Sequence, residues 1–140
     1  MQKKYTYIVT PGHGYLSVSI KEIKKLNLVD QISGYSYMNL TRVYLEEDCD
    51  LRLFIDAKKK LNEEINIQSS YRDVSEILPG GRYDSYNIDN PIQLNSIVTN
   101  GEGIFKVIAI NNKKIVIKDD CGRYRVPISN PYRYIRPVIK

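Results

Sequence analysis

The sequence has few of the residues on which most small catalytic and metal sites depend. It contains no tryptophan, one histidine and two cysteines among its 140 residues. Histidine is the residue type whose ordinary pKa lies near neutrality, so acid–base catalysis there would have to use His13. Cys49 and Cys121 stand far apart and form no CxxC pair, which argues against a disulfide framework and a zinc site. We predict two free thiols, no metal and no cofactor.

Long hydrophobic runs are also missing. No stretch approaches the roughly 18 apolar residues of a membrane span, and the first four residues lead into a polar strand, not into the core of a signal peptide. The chain is nevertheless 42% hydrophobic and 26% charged, enough to bury the core of one ordinary domain or two very small ones. We predict a cytoplasmic protein without a membrane partner.

The positive charge is unevenly distributed. The formal net charge is +5, but residues 101–140 hold nine basic and three acidic residues, a local balance of +6. Charge concentrated in one segment indicates a polyanionic or acidic partner.

The first part of the chain combines strand and helix patterns. Alternating side chains over residues 5–18 predict two strands joined by a turn at 11–14. Ser19 and Glu22 form a capping-box pair, which predicts a helix of about two turns that ends at Asn27.

A hairpin and a second helix follow. Residues 35–45 predict the hairpin, and the helix begins near Asp48 or Asp50. Residues 68–91 are interrupted by proline and glycine, as in a connector. The prediction is an α+β subdomain over 1–67, a connector over 68–91 and a β subdomain over 92–140.

From Ile97 onward, short strands alternate with turn residues. Five strands predict a β-meander, of which residues 132–137 form the last, and closure into a small barrel would leave no open edge. The runs Gly103–Ile110, Ile115–Ile117 and Asp120-Cys121-Gly122, with Val126-Pro127, resemble an SH3-like barrel of the kind found in Tudor and KOW modules. The resemblance implies such a barrel over residues 92–140.

A second resemblance concerns the first part of the chain. The runs Thr10–Leu16, Gly34–Tyr37 and Tyr44–Asp50 resemble a short domain of uncharacterised phage and plasmid proteins. It implies an origin on a mobile element and assigns no functional residue.

Carboxylates cluster before the second helix. Glu46, Glu47, Asp48 and Asp50 could supply oxygen ligands to Mg²⁺, but carboxylates at this place are also typical of helix capping. His13, in a predicted turn, is either a turn residue or a catalytic base, for which Cys49 or Cys121 would be the nucleophile.

Arginines and tyrosines of the last two predicted strands form the most informative group. Alternation places Arg123 and Arg125 opposite Tyr124, and it places Arg133 opposite Tyr134. Arginines can neutralise phosphates while tyrosine rings stack on unpaired bases, although a basic outer face without a partner gives the same pattern. The predicted nucleic-acid or partner-binding residues are Lys113, Lys114, Arg123, Arg125, Tyr132, Arg133, Tyr134 and Arg136.

These observations predict a non-enzymatic binding protein of phage or plasmid origin. Its partner is nucleic acid, a nucleoprotein complex or an acidic protein, and no small-molecule substrate is indicated. An inhibitor of a host defence nuclease, as anti-CRISPR proteins are, belongs to this class because occlusion needs no catalytic residue. The alternative is a small metal-dependent nuclease or toxin that uses the carboxylates from Glu46 to Asp50.

Overall fold

The computed structural model describes residues 3–71, 81–129 and 131–138, which have an α+β fold of two five-stranded sheets and three short helices. None of these helices is long and apolar enough to cross a membrane. The elements of the first part are β1 (Lys3–Val9), β2 (Gly14–Ser19), α1 (Ile20–Lys25), β3 (Tyr37–Met38), β4 (Arg42–Glu46), α2 (Leu51–Lys60), β5 (Ile65–Tyr71) and α3 (Ser85–Asp89). The second part contains β6 (Ile97–Thr99), β7 (Ile104–Ile110), β8 (Lys114–Lys118), β9 (Arg123–Pro127), a 3-10 turn (Pro131–Arg133) and β10 (Arg136–Pro137).

The first sheet has the strand order β3-β4-β2-β1-β5. β1 pairs with β5 in parallel, and the other pairs are antiparallel. The predicted strands on either side of the turn at 11–14, and the predicted hairpin, are therefore confirmed. Leu16 and Leu45 from the sheet pack with Ile23 of α1 and Phe54 of α2 in one buried cluster.

Helix α1 begins and ends as the sequence predicts. The Ser19 hydroxyl accepts a hydrogen bond from the backbone N–H of Glu22, and Asn27 adopts a left-handed φ of 58° just after the helix. The Glu22 carboxylate has partners that the capping-box pattern does not predict. It accepts from Lys58 Nζ at 2.7 Å and from Tyr5 Oη at 2.6 Å, so it connects α1, α2 and β1.

Lys58 and Glu22 are both buried, which makes their pairing decisive for this core. Burial favours the neutral acid, but the hydrogen bonds from Lys58 and Tyr5 outweigh it and hold the pKa of Glu22 below its ordinary value. Burial likewise disfavours the ammonium group of Lys58, but hydrogen bonds to Glu22 and Glu63 outweigh it and raise the pKa of Lys58.

The second sheet has the order β10-β6-β7-β8-β9, and its pairs are antiparallel. A bulge lies in β7 between Val107 and Ala109. The predicted meander is confirmed for β6 to β9, which pair in sequence order, whereas β10 returns to pair with β6. Among the described residues no pairing joins β9 to β10, so closure into a barrel is not confirmed. The inner face packs in a second cluster of Ile92, Val98, Phe105, Val107, Ile115, Ile117, Val126 and Ile135.

The predicted strand over 132–137 is wrong for most of its length. Pro131 begins a 3-10 turn, and its carbonyl accepts from the backbone N–H groups of Tyr134 and Ile135 at 3.0 and 3.1 Å. Only Arg136 and Pro137 pair as a strand. The fixed φ of proline favours such a turn, so the predicted alternation of Arg133 and Tyr134 on opposite strand faces is also wrong.

The predicted division of the chain stays a prediction. Strand β5 continues to Tyr71, past the expected boundary at 67, and residues 72–80 of the predicted connector lie outside the described residues. Ile88 of α3 belongs to the first cluster. Tyr132 packs against both clusters.

The buried pair of Glu22 and Lys58 makes the free energy of unfolding depend on pH. Because Glu22 has a lower pKa in the folded chain than its ordinary 4.5, its contribution is present above that value and is lost as the pH falls through the folded pKa. We expect Glu22→Gln to lower the free energy of unfolding at pH 7 by about 3 kcal/mol and to remove this part of the acid dependence. Urea denaturation between neutral and acid pH measures both effects. The exposed Glu64→Gln is the control, and an unchanged pH profile in Glu22→Gln would refute the assignment.

Candidate nucleic-acid interface

The outer face of the second sheet carries a row of three cations. Lys106 of β7 pairs with Lys118 of β8, and Lys118 pairs with Arg123 of β9, so the three side chains lie side by side on one face. Lys114 and Arg125 share this face because they lie an even number of residues from Lys118 and Arg123. These five residues are called the basic face.

The cations of the basic face have no acidic partners among residues 3–71, 81–129 and 131–138. In the described part of the chain, no carboxylate lies within ion-pair distance of any of them, and four are exposed while Lys114 is half-buried. Like charges directly opposite each other destabilise a sheet. This row therefore costs stability without compensation inside the described residues, which is typical of a surface that binds a polyanion.

Three side chains fix the turns that set this register. Asn100, Asn111 and Asp119 each accept hydrogen bonds from the backbone N–H groups two and three residues later. Such Asx turns stabilise a tight turn, because the side chain forms hydrogen bonds with the backbone that follows it. The turn at Asn111 also places Lys113 on the exposed loop beside the basic face.

A cleft lies on the other side of β9. Tyr124 points away from its two flanking arginines and packs edge-on against Phe105, with ring centroids 5.5 Å apart. Tyr134 lines the same cleft, and the Arg133 guanidinium carbon lies 5.5 Å from its ring centroid. The cleft has a volume of about 450 Å³, and both tyrosines are close to half exposed, at 44% and 45%.

The structure separates the predicted site residues into three places. Lys114, Arg123 and Arg125 lie on the basic face, with Lys113 beside them. Arg133 and Tyr134 adjoin the cleft. Arg136 is exposed and, with Tyr132, lines a second cleft toward α3.

Tyr132 is held by the fold. It packs between the two buried clusters, and burial raises the pKa of Tyr132 to about 12 although a hydrogen bond with the backbone of Ile92 opposes this. Gly81 lies so close that an added Cβ would meet the Tyr132 Cβ at 2.0 Å.

Two residues of the basic face were not among the predicted site residues. Lys106 and Lys118 stand on strands that were predicted correctly, but their meeting with Arg123 depends on cross-strand register. Each alternates with buried apolar residues, a signal that would have placed them on the outer face.

The predicted capping role of Asp50 is wrong. Asp50 stands at the N-cap of α2, but its side chain makes no cap hydrogen bond. It accepts instead from the Ser33 backbone N–H and from the hydroxyls of Ser33 and Ser36, so it holds the loop before β3 in place. Glu46 serves the backbone before the helix, because it accepts from the N–H groups of Asp48 and Cys49 at 2.9 Å.

His13 lies against the remaining carboxylates. Its Nδ1 is 3.5 Å from Glu46 Oε1, and ligand atoms of His13, Glu46, Glu47 and Asp48 all lie within 4.8 Å of one another. These four residues are called the His13 cluster. Imidazole and carboxylate groups are ligands that divalent cations accept.

The thiol beside this cluster is poorly suited to nucleophilic attack. A hydrogen bond to the Glu46 carboxylate raises the pKa of Cys49, and burial and the nearby acids act in the same direction. A raised pKa leaves little thiolate near neutral pH. Both cysteines are free, as predicted, and both are exposed.

No protein-family model, curated protein sequence or solved structure matches this chain. The function must therefore be argued from the basic face, the cleft and the His13 cluster.

The cost of the cation row can be measured without a ligand. We expect Lys118→Gln to raise the free energy of unfolding by about 0.5 kcal/mol at low ionic strength, because it removes two like-charge cross-strand contacts. Screening should abolish the gain in high salt. Denaturant titration at both salt concentrations tests this, with Lys60→Gln on α2 as the control. A loss of stability in Lys118→Gln at low salt would show that the row is not repulsive.

Proposed function

We propose that this protein is a non-enzymatic nucleic-acid-binding protein that contacts phosphates through its basic face. The observation that carries the proposal is the row Lys106, Lys118 and Arg123, three cations that strand register aligns and that have no acidic partner within the described part of the chain. Each phosphate contact releases condensed counterions, a gain that can offset the repulsion within the row.

The proposal includes an SH3-like arrangement of the second sheet. Its last strand, β10, returns to pair with its first strand, β6, and the bulge in β7 bends the sheet. Both features support a five-stranded barrel that is open between β9 and β10. With the first-part resemblance, they fit a small phage or plasmid protein that acts in the cytoplasm.

The partner is free nucleic acid or the nucleic acid of a nucleoprotein complex. A host defence nuclease that carries a guide strand is such a complex, and a small protein bound to its exposed strand would inhibit it by occlusion. An acidic protein is the other partner that a basic face can bind, and the salt dependence of binding distinguishes the two.

Charge reversal on β9 tests the proposal directly. Arg123→Glu with Arg125→Glu should weaken oligonucleotide binding and make the slope of log affinity against log salt shallower by about 0.7 to 0.9 for each lost phosphate contact. Fluorescence anisotropy at several salt concentrations gives both quantities. The matched control is Lys59→Glu with Lys60→Glu, which reverses two exposed cations on α2. Unchanged affinity and slope in the β9 variant would exclude the basic face as the nucleic-acid site.

A second candidate function is supported by the position of His13. In the alternative of a metal-dependent nuclease, His13 would supply a nitrogen ligand beside Glu46, Glu47 and Asp48. Asp50 does not belong to this group, because its carboxylate is hydrogen-bonded to Ser33. Such an enzyme would place one or two of these carboxylates on Mg²⁺ or Mn²⁺.

An activity assay separates the two candidates. We expect no cleavage of single-stranded or duplex substrates with Mg²⁺ or Mn²⁺, and no change in oligonucleotide affinity in Asp48→Asn. Metal-dependent cleavage that is lost in Asp48→Asn but kept in Asp56→Asn, an exposed acid on α2, would establish the nuclease instead.

A further inference from the structure

Strand β9 carries cationic side chains on one face and an aromatic side chain on the other. Arg123 and Arg125 point to the basic face, while Tyr124 between them points into the cleft. Among the described residues β9 pairs only with β8, so its outer edge is not covered by another strand. A polymer that follows this edge can meet cations on one side and aromatic rings on the other.

We propose that the cleft behind β9 binds an unpaired base, so that the ligand of this protein is single-stranded nucleic acid. The inference rests on the proposed function and names its substrate class. The occupant of the cleft is a base whose phosphates lie on the basic face.

The walls of the cleft suit a flat ring. Phe105, Tyr124 and Tyr134 line it together with Ile117. The rings of Tyr124 and Tyr134 are close to half exposed, and exposed aromatic rings are the platforms on which bases stack. The edge-on contact with Phe105 holds the Tyr124 ring in place. The volume of about 450 Å³ lies in the range of pockets that take small organic groups.

Charge places the phosphates outside the cleft. Glu102 lines the cleft, and its carboxylate repels a phosphate there. The unpaired cations stand across the β9 edge, and Arg133 stands beside the Tyr134 ring. A polynucleotide therefore meets positive charge around the cleft and aromatic rings inside it.

A duplex cannot make this contact, because its bases are stacked on each other and paired. Stacking uses the faces of a base, which all four bases have, so affinity should depend weakly on sequence.

The test compares two oligonucleotides with the same phosphates. One is a short dT strand, and the other has the same length but abasic sugars. We expect the dT strand to bind more tightly, and we expect Tyr134→Ala to weaken dT binding by about 5- to 100-fold while leaving the abasic strand unaffected. Tyr134→Phe keeps the ring and should bind as the unaltered protein does. Anisotropy measures the affinities, and circular dichroism checks the fold of each variant.

A fluorescent purine analogue within the dT strand gives a readout that needs no variant. Stacking on tyrosine should change its emission on binding to the unaltered protein. Equal affinity for the two strands, unchanged dT binding in Tyr134→Ala, or unchanged emission would overturn the inference while leaving phosphate binding by the basic face intact. If neither strand nor a duplex binds at about 50 mM salt, the proposed function itself fails.

Discussion

The register of β7, β8 and β9 is the constraint on which the rest of the second sheet depends. A shift of one residue would turn Lys118 and Arg123 inward and Ile117 and Tyr124 outward. Two things oppose such a shift. The inner face packs Val107, Ile115 and Val126 into a buried cluster, and an Asx turn closes each hairpin. The same register that buries the core therefore aligns the cations. The burial of the core outweighs the repulsion among them.

Local signals predicted much of the structure. The strands of the meander, the hairpin of β3 and β4 and the start and end of α1 all follow from alternation, turn residues and the Ser19 cap. The errors arise where a distant contact or a neighbouring residue overrides the local pattern. Asp50 stands where a capping residue is expected, but its carboxylate accepts hydrogen bonds from two serines of the loop before β3. Tyr134 alternates like a strand residue, but the preceding Pro131 begins a turn.

The candidate sites were predicted less completely, because they form across elements. Arginines 123 and 125 could be placed on one strand face from sequence, whereas Lys106 and Lys118 join them only through pairing. His13 meets Glu46 because β2 lies between β1 and β4, a strand order that no local pattern specifies. Lys58 is one of three lysines at the end of α2, a pattern typical of a solvent-exposed helix end, but it is buried against Glu22 because α1 and α2 pack in the same cluster.

The two candidate sites have opposite charge. The His13 cluster is acidic and would need a bound cation before it could approach a phosphate, whereas the basic face attracts phosphates as it stands. The cleft adds aromatic rings to the edge of the basic face. This combination favours the proposed binding of nucleic acid over its cleavage.

Amide NMR spectra recorded during titration with a dT oligonucleotide test that claim most directly. The account predicts that chemical shifts move in β8, in β9 and around Tyr134, that they recover as salt is added, and that the amides of His13 and Glu46 to Asp48 stay unchanged. Shifts confined to the His13 cluster, or spectra that do not change at low salt, would contradict it.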